Sequence, residues 1–256
     1  MFTFEKIIDA LQAPSLQDAS FLTKIGNQLV EYICTDSSHE YLLRSGTELK
    51  RARNGVEKYR SSDAVNLFET EIVPVPWEKE KIGANSREKT LAGRFNRDCE
   101  RVLYLSNSIP IALSEVRAIS DQHVSVGTFS TQKDLNLLNL VDVPKPKGRG
   151  ILTTDEDFET TYRRIALHAQ TQFPSEEAKR NYRLTQFVAS VAAEAKLDGI
   201  MYRTAFFESV WNEASQETDL ADCNIVLFNP ENVDFVKSEV AIIQRERPKA
   251  LSIKTL

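Results

Sequence analysis

The first 45 residues carry apolar side chains at the three- and four-residue spacing of an amphipathic helix. Two sets of positions share this spacing, one on each side of Pro14: Phe4, Ile7, Ile8 and Leu11, then Leu22, Ile25, Leu29 and Ile33. The pattern predicts a helical lead-in over residues 1–45. Such a face more often packs against a core than docks a partner, and we interpret it as a packing surface.

Beyond Gly46 the pattern changes to alternating or short apolar stretches, which are typical of strands. Strands are predicted at 46–55, 102–106, 123–130, 135–141, 199–203, 224–229 and 240–244, and helices at 111–117, 155–170 and 175–195. Strands and helices mix without regular alternation, so the predicted class is α+β rather than a doubly wound sheet.

The domain organisation follows from length and from one irregular region. A chain of 256 residues fits one domain with a short appendage. We therefore divide it into a helical extension, 1–45, and a main domain, 46–256. Residues 55–92 form a polar connection with Pro74, Pro76 and Gly83, and a connection of this length inside a domain is usually functional or mobile.

Charge and hydropathy exclude several classes of function. The net charge of −5 gives no support for direct nucleic-acid binding, which usually shows as a basic patch. No apolar run approaches the roughly 20 residues that cross a bilayer. The first residues, MFTFEKIIDALQ, carry acidic side chains and lack the apolar core of a secretory signal. We expect a cytoplasmic protein without a membrane partner.

Cysteine and histidine are scarce. The three cysteines are widely spaced, and none of the three histidines stands at ligand spacing with another. A zinc site is therefore not expected, and no metal is predicted. A Ser-His or Cys-His nucleophile pair has equally little support.

Two arginine-bearing segments are candidates for anion binding. Arg51 and Arg53 alternate along a predicted strand and so share one face. A guanidinium fork suits phosphate oxygens, although a salt-bridged surface pair has the same spacing. The loop that contains Gly93, Arg94 and Asn96 combines close backbone approach with further donors.

A carboxylate and three downstream segments complete the set of candidates. Glu115 has apolar neighbours on its helix, which places the carboxylate near the buried side, where it needs a partner such as Arg117 or a function. Tyr182 and Gln186 stand four apart on one helix and face the same way. The strand of DGIMYRT ends in the Thr204 hydroxyl, and the buried strand NIVLF begins at a polar residue.

In this order, these segments resemble the RES-domain family, named for its arginine, glutamate and serine, over about residues 46–228. The motifs that carry the resemblance are GTELKRAR, GRFN with VLYLS, IALSEVR, YRLTQFVA, DGIMYRT and NIVLF. They place the arginine at Arg51, the glutamate at Glu115 and the serine position at Thr204. The chain departs from the family at Thr204, which adds a methyl group, at Lys50, where tyrosine is common, and at 97–99, where a glycine is expected.

The resemblance implies a fold and an activity. The fold is an ADP-ribosyltransferase-like α+β fold, with a split, bent β-sheet flanked by helices. The substrate is NAD, whose nicotinamide–ribose bond is cleaved by water or by inorganic phosphate. Many members are toxins held inactive by a cognate antitoxin, so the resemblance implies a toxin of a toxin–antitoxin or defence system. The alternatives are a protein ADP-ribosyltransferase and a non-catalytic NAD- or ADP-ribose-binding module.

The resemblance also implies roles for particular residues. Glu115, Arg51 and Thr204 are the predicted catalytic residues. The predicted NAD-binding residues are Arg51, Arg53, Arg94, Asn96, Tyr104, Tyr202 and Asn224. In these roles the arginines hold the pyrophosphate, Tyr104 stacks on a ring, and Glu115 stabilises the positive charge that develops on the ribose.

Overall fold

A computed structural model describes residues 4–12, 15–35, 37–61, 72–141, 158–171, 175–204, 223–245 and 251–255. The strands are β1 Glu40–Leu43, β2 Glu48–Asn54, β3 Lys58–Ser61, β4 Ile72–Val75, β5 Leu103–Ser106, β6 His123–Thr131, β7 Leu135–Asn139, β8 Gly199–Arg203, β9 Cys223–Leu227, β10 Val233–Arg245 and β11 Leu251–Thr255. The helices are α1 Phe4–Gln12, α2 Leu16–Thr35, α3 Lys79–Ile82, α4 Ile109–Glu115, α5 Phe158–Gln170 and α6 Ser175–Glu194.

Nine of these strands form one mixed sheet. Their order is β1-β7-β8-β9-β5-β2-β6-β10-β11, and β3 pairs with β4 in a separate hairpin. Strands β7 and β8 are parallel, whereas β8–β9, β5–β9 and β2–β6 are antiparallel. The mixed sheet with its helices confirms the predicted α+β class.

The sheet is divided near its middle. Strand β2 pairs with β6 along all 7 of its residues, and β5 pairs with β9 along all 4 of its residues. Between β2 and β5, in contrast, only Lys50 and Ser106 are partners. We call this single pair the seam. Backbone pairing stops on each side of it, so the sheet is split as the family resemblance implies.

Side chains alternate between two buried faces of the sheet. Ile200 and Val226 contribute to a core that also contains residues of α1, α2, α5 and α6. The neighbouring Met201 and Ile225 contribute to a second core with Ile82 of α3. Helix α4 covers a third, smaller cluster of alanines and valines on β2, β6 and β10. The helices therefore lie on both faces and leave room between α4 and α6 above the seam.

The N-terminal lead-in is helical, but only as far as Thr35. Residues 40–43, predicted to be part of the helical segment, instead form β1 and pair antiparallel with β7. This is a correction, and its physical reason is that a four-residue strand depends on a distant partner rather than on local periodicity. The boundary at residue 45 stays a prediction.

Other boundaries differ by a few residues. Helix α4 begins at Ile109 and ends at Glu115, so Arg117 lies beyond it. Strand β10 is longer than the predicted 240–244 because β6 pairs with it from Val233 onwards. Residues 155–157 of the predicted 155–170 helix lie outside the described residues. None of the helices in the described ranges has both the length and the apolar composition of a bilayer-spanning segment.

Helix α1 belongs to the main core, which leads to a stability prediction. Ile7 is fully buried there, so Ile7→Ala leaves a cavity and lowers the free energy of unfolding by about 2 kcal/mol. The matched control is Leu167→Ala on α5, where the side chain is 64% exposed and the expected change is below about 0.5 kcal/mol. Denaturant unfolding measures both, and equal values for the two variants would contradict the packing described.

Candidate active site at the split of the sheet

A cleft of about 350 Å³ opens where β2 and β5 separate at the seam. Its volume lies within the range of small-molecule sites. Strands β2, β5, β8 and β9, the end of α4, the loop before β5 and helix α6 all contribute to its walls. The lining residues are Lys50, Arg51, Ala52, Arg94, Tyr104, Leu105, Ser106, Ala112, Glu115, Val116, Arg117, Tyr182, Tyr202 and Asn224.

The charge of this lining is opposite in sign to that of the whole chain. Four basic residues, Lys50, Arg51, Arg94 and Arg117, line the cleft together with one acidic residue, Glu115. The chain as a whole has a net charge of −5. A concave wall of one sign concentrates ligands of the other sign. The cleft is therefore suited to an anionic ligand.

Arg51 is half-buried on β2 beside the seam. Its Nη1 lies 3.5 Å from the Tyr104 carbonyl oxygen across the split, a long contact for a hydrogen bond. Burial, and then the positive charge of Arg53, lower the pKa of Arg51 to about 10. The guanidinium is still protonated at neutral pH. Arg51 is thus a desolvated cation held next to the cleft by a weak contact.

Arg53 lies outside the lining of the cleft. It donates to the Lys81 carbonyl, and its guanidinium carbon lies 5.7 Å from the centre of the Trp77 ring. Alternation correctly places it on the same strand face as Arg51, but it is two residues further from the seam, about 6–7 Å along the strand. Its partners are therefore α3 and Trp77 rather than the cleft.

Arg94 enters the cleft between two tyrosine rings. Its guanidinium carbon lies 5.7 Å from the ring centre of Tyr182 and 5.9 Å from that of Tyr202. A guanidinium at this distance from an aromatic face is held by cation–π attraction. Arg94 also donates to the Ala169 carbonyl. These contacts fix the direction of the cation without neutralising its charge.

The loop that carries Arg94 is held from within by a tyrosine. The Tyr104 hydroxyl donates to Asn96 Oδ1 at 2.9 Å and accepts from the Phe95 amide at 2.9 Å. At Gly93, an added Cβ would lie 2.6 Å from Asn96 Oδ1 and 3.0 Å from the Tyr104 hydroxyl. This close approach requires glycine. Asn96 is buried, supports the loop and does not line the cleft.

Helix α6 holds the same loop from outside. Gln186 Nε2 donates to the carbonyls of Gly93 at 2.9 Å and Asn96 at 3.0 Å. The Thr185 hydroxyl donates to the Arg94 carbonyl. Tyr182 and Gln186 face the loop and cleft from one side of the helix, as their spacing predicts. The YRLTQ segment therefore positions the arginine loop.

Two of the three tyrosines that line the cleft, Tyr104 and Tyr202, remain neutral phenols. Burial raises the pKa of Tyr104 above its usual range. Burial also raises the pKa of Tyr202, and the nearby Glu115 charge acts in the same direction. The Tyr202 ring packs on Phe95 with ring centres 4.8 Å apart. Together with Tyr182, these rings give the cleft an aromatic wall.

Glu115 is exposed at the C-terminal end of α4, although its apolar neighbours in the sequence predict a carboxylate near the buried side. The reason is that α4 ends at this residue, where the helix leaves the sheet. Its Oε1 accepts from the Thr204 hydroxyl at 2.7 Å and from Asn224 Nδ2 at 2.6 Å. Two neutral donors therefore bind the carboxylate, one of them on β9 and the other directly after β8.

Several lining residues were not among the sequence-derived site residues. In the sequence, Lys50 stands out only as a departure from the family motif, and Tyr182 only by its spacing from Gln186. Arg117 was considered only as an ion partner of Glu115. Ser106 carried a usable signal, because it follows Tyr104 by two residues and so shares its strand face. Its hydroxyl donates to Asn224 Oδ1 at 2.7 Å.

The predicted site residues thus fall into three groups. Arg51, Arg94, Tyr104, Glu115, Tyr202 and Asn224 line one cleft. Thr204 joins them through its bond to Glu115, whereas Arg53 and Asn96 lie outside the lining. Within the described ranges, no three histidine, cysteine or acidic side chains come together as a metal-binding group.

The fold and site define an α+β protein whose split sheet holds a cationic cleft beside an anchored carboxylate. The chain belongs to the RES-domain family, since the family model described as the RES domain matches residues 76–249. The matched residues include Arg94, Asn96, Tyr104, Glu115, Tyr202, Thr204 and Asn224. Arg51 and Arg53 precede the match, so the place of Arg51 in the site rests on the geometry of the cleft.

A search of curated proteins finds no match. Among solved structures, the chain is similar to one in the crystal structure of the M. tuberculosis MbcT-MbcA toxin-antitoxin complex. The sequence identity is 14%, the match covers 82% of this chain and 90% of that chain, and the TM-score is 0.42.

The desolvation of Arg51 generates a prediction about stability. Arg51→Met keeps the length of the side chain and removes a buried charge, so the free energy of unfolding rises by about 1 kcal/mol. Arg53→Met, on the same strand, removes an exposed charge and gives no such gain. Denaturant unfolding at neutral pH measures both. A loss of stability in Arg51→Met would show that Arg51 is stabilising and not strained by its burial.

Proposed function

We propose that this protein cleaves the bond between nicotinamide and ribose in NAD, with water or inorganic phosphate as the acceptor. The observation that carries the proposal is the joint presence of cationic side chains and an anchored carboxylate in one cleft. Arg51 and Arg94 line the same space as Glu115. Membership of the RES-domain family supports this choice, because the resemblance implies NAD as substrate.

The cationic side chains suit the pyrophosphate of NAD. Arg51 and Arg94 have guanidinium groups, which bind phosphate oxygens in a bidentate manner. Lys50 and Arg117 add positive charge to the same lining. Binding energy from the phosphates, which do not react, holds the dinucleotide so that its reacting bond lies beside the carboxylate.

Glu115 suits the reacting end of the substrate. Loss of nicotinamide leaves positive charge on the ribose, in an oxocarbenium-like transition state. A carboxylate already fixed by two hydrogen bonds stabilises this charge with little reorganisation. It can also accept a hydrogen bond from a ribose hydroxyl. The acceptor oxygen of water or phosphate then bonds to the ribose carbon that nicotinamide leaves, so the step needs no nucleophilic side chain.

The tyrosines suit the ring systems of NAD. Tyr104, Tyr182 and Tyr202 line the cleft, and their burial keeps the first and last of them uncharged. A flat aromatic wall binds a heterocyclic base by offset stacking. We assign these rings to the nicotinamide or adenine of the substrate.

The biological setting that we propose is a toxin of a toxin–antitoxin or defence system. This extension rests on the RES-domain family, which includes toxins held inactive by a partner. The partner of this chain would then be a cognate antitoxin that covers the cleft, and free NAD would be the cellular target. Growth arrest and loss of NAD on expression in a bacterial host, both reversed by Glu115→Gln, are the outcomes that this setting requires.

Removal of the charge at residue 115 tests the chemistry. Glu115→Gln keeps the size of the side chain but removes the negative charge, so nicotinamide release from NAD falls on the order of a hundredfold or more. The control is Glu239→Gln, which removes a carboxylate paired with Lys237 on β10 and leaves turnover unchanged. Wild-type turnover in Glu115→Gln would remove Glu115 from the mechanism.

The identity of the acceptor is decided in the same assay. Nicotinamide release that rises with added inorganic phosphate, with ADP-ribose 1″-phosphate as product, identifies a phosphorylase. Release that is independent of phosphate, with free ADP-ribose as product, identifies a glycohydrolase. Transfer of labelled ADP-ribose to protein instead identifies a protein ADP-ribosyltransferase. NAD binding without any release identifies a binding module and overturns the proposed cleavage.

The phosphate contacts are tested by affinity. In a Glu115→Gln background, which slows turnover, Arg51→Met or Arg94→Met weakens NAD binding by about tenfold or more, as expected for the loss of a charged hydrogen bond. Arg53→Met in the same background leaves the affinity unchanged, since Arg53 lies outside the lining. Titration calorimetry measures all three. Equal affinities for the Arg51 and Arg53 variants would exclude Arg51 from the phosphate site.

A further inference from the structure

A chain of hydrogen bonds runs from the interior of the sheet to the carboxylate of Glu115. The Ser106 hydroxyl donates to Asn224 Oδ1 at 2.7 Å, and Asn224 Nδ2 donates to Glu115 Oε1 at 2.6 Å. The Thr204 hydroxyl donates to the same oxygen at 2.7 Å. The three donor residues are 4%, 2% and 3% exposed, in the order Ser106, Asn224 and Thr204. Within the part of the chain that the structure describes, both hydrogen bonds to the carboxylate therefore end on the same one of its two oxygens.

The register of the sheet builds this chain. Ser106 and Asn224 are direct partners across β5 and β9, and Ser106 is also the residue that joins β5 to β2 at the seam. Asn224 is in turn the partner of Tyr202 on β8, and Thr204 follows β8 directly. Residues on β5 and β9, and the residue directly after β8, thus come together at the Glu115 side chain, which extends from α4.

The direction of the bonds follows from donor and acceptor chemistry. An ionised carboxylate only accepts, so Asn224 presents its NH2 group to Glu115. The amide oxygen then faces away and needs a donor, which the Ser106 hydroxyl supplies. If the amide were reversed, its oxygen would lie against a carboxylate oxygen, and that arrangement is repulsive. The carboxylate therefore sets the orientation of the amide, and the Ser106 hydroxyl, as donor to the amide oxygen, stabilises that orientation.

We propose that Ser106, Asn224 and Thr204 are positioning residues that hold Glu115 by Oε1 and so present Oε2 to the ribose of the substrate. The proposal rests on the proposed function and deepens it. It gives Ser106 a role in the site, and it assigns Thr204 and Asn224 to the carboxylate rather than to direct contact with NAD. An exposed glutamate at a helix end is otherwise free to adopt several rotamers, and its fixation favours one reactive geometry.

The test compares single and double variants by steady-state kinetics. Ser106→Ala lowers kcat for nicotinamide release by about tenfold with little change in KM, as expected when one hydrogen bond in a charged network is lost. Asn224→Leu lowers kcat further. The double variant Ser106→Ala/Asn224→Leu is no slower than Asn224→Leu, because Ser106 acts only through Asn224.

Two matched controls separate positioning from stability. Ser125→Ala removes another buried hydroxyl, which bonds to the Gly55 carbonyl and the Trp77 amide, and it leaves kcat unchanged. At residue 204, Thr204→Ser keeps the hydroxyl and retains kcat, whereas Thr204→Val keeps the shape without the hydroxyl and lowers kcat about tenfold. Thermal unfolding of every variant identifies any loss of kcat that comes from unfolding.

A readout without turnover distinguishes failure of this inference from failure of the proposed function. In ¹⁵N spectra, the Asn224 side-chain amide is assigned by its disappearance in Asn224→Leu. It should exchange slowly with solvent in the wild type and faster in Ser106→Ala, but not in Ser125→Ala. A wild type that does not cleave NAD but keeps this pattern overturns the function and supports the hydrogen-bonded chain.

The opposite results overturn the positioning roles. If Ser106→Ala behaves like Ser125→Ala, or if its loss of kcat persists in the Asn224→Leu background, Ser106 does not act through Asn224. If Thr204→Val and Thr204→Ser have equal kcat values, the Thr204 hydroxyl does not hold Glu115. Either result in an active wild type leaves the proposed function intact and removes the corresponding positioning residue.

Discussion

Strands β2 and β5 share one residue pair, Lys50 with Ser106, and the rest of the site depends on this interruption of backbone pairing. A continuous sheet would fill the space between these strands with ladder hydrogen bonds. Because pairing stops, Arg51 reaches the Tyr104 carbonyl across the gap, and residues of α4 and α6 line the space beside it. The same pair fixes Ser106, from which the hydrogen-bonded chain to Glu115 begins. One local break in the sheet thus creates both the space for a ligand and the anchor for the carboxylate.

The two sides of the cleft hold their arginines by different interactions. On one side, Arg51 is a cation whose burial lowers its pKa and whose partner is a distant carbonyl, so it retains capacity for an anion. On the other side, the loop of Arg94 is held by Tyr104, Asn96 and Gln186, and the guanidinium lies between two rings. Among the described residues, Arg51 has no carboxylate within ion-pair distance. A partly buried cation of this kind costs stability, and a phosphate bound as proposed would offset that cost. Under the proposed function, ligand binding and stability therefore oppose each other most directly at Arg51.

Whether a predicted site residue lines the cleft or lies outside it depends on its contacts with distant parts of the chain. Arg94, Tyr104, Glu115 and Asn224 follow from ordered motifs, and the structure brings them to one cleft. Arg53 and Asn96 belong to the same motifs but bond to backbone carbonyls outside it. Nothing in their local sequence distinguishes them from Arg51 and Arg94, because an arginine on an alternating strand can bind an anion, an aromatic ring or a carbonyl. Which of these an arginine binds depends on the partner within its reach. For Arg53 that partner is the Lys81 carbonyl, which lies 28 residues away in the sequence.

Periodicity in the sequence by itself determined the α+β class, the helices of the lead-in and most strands, because these patterns are local. Ordered motifs indicated the family and six of the residues that line the cleft. Only the tertiary structure decided that residues 40–43 are a strand, that the sheet splits at Lys50 and Ser106, and that Thr204 and Asn224 meet at one oxygen of Glu115. Each of these depends on strand register between segments far apart in the chain. A shift of one residue in that register would reverse every side chain and separate the donors from the carboxylate.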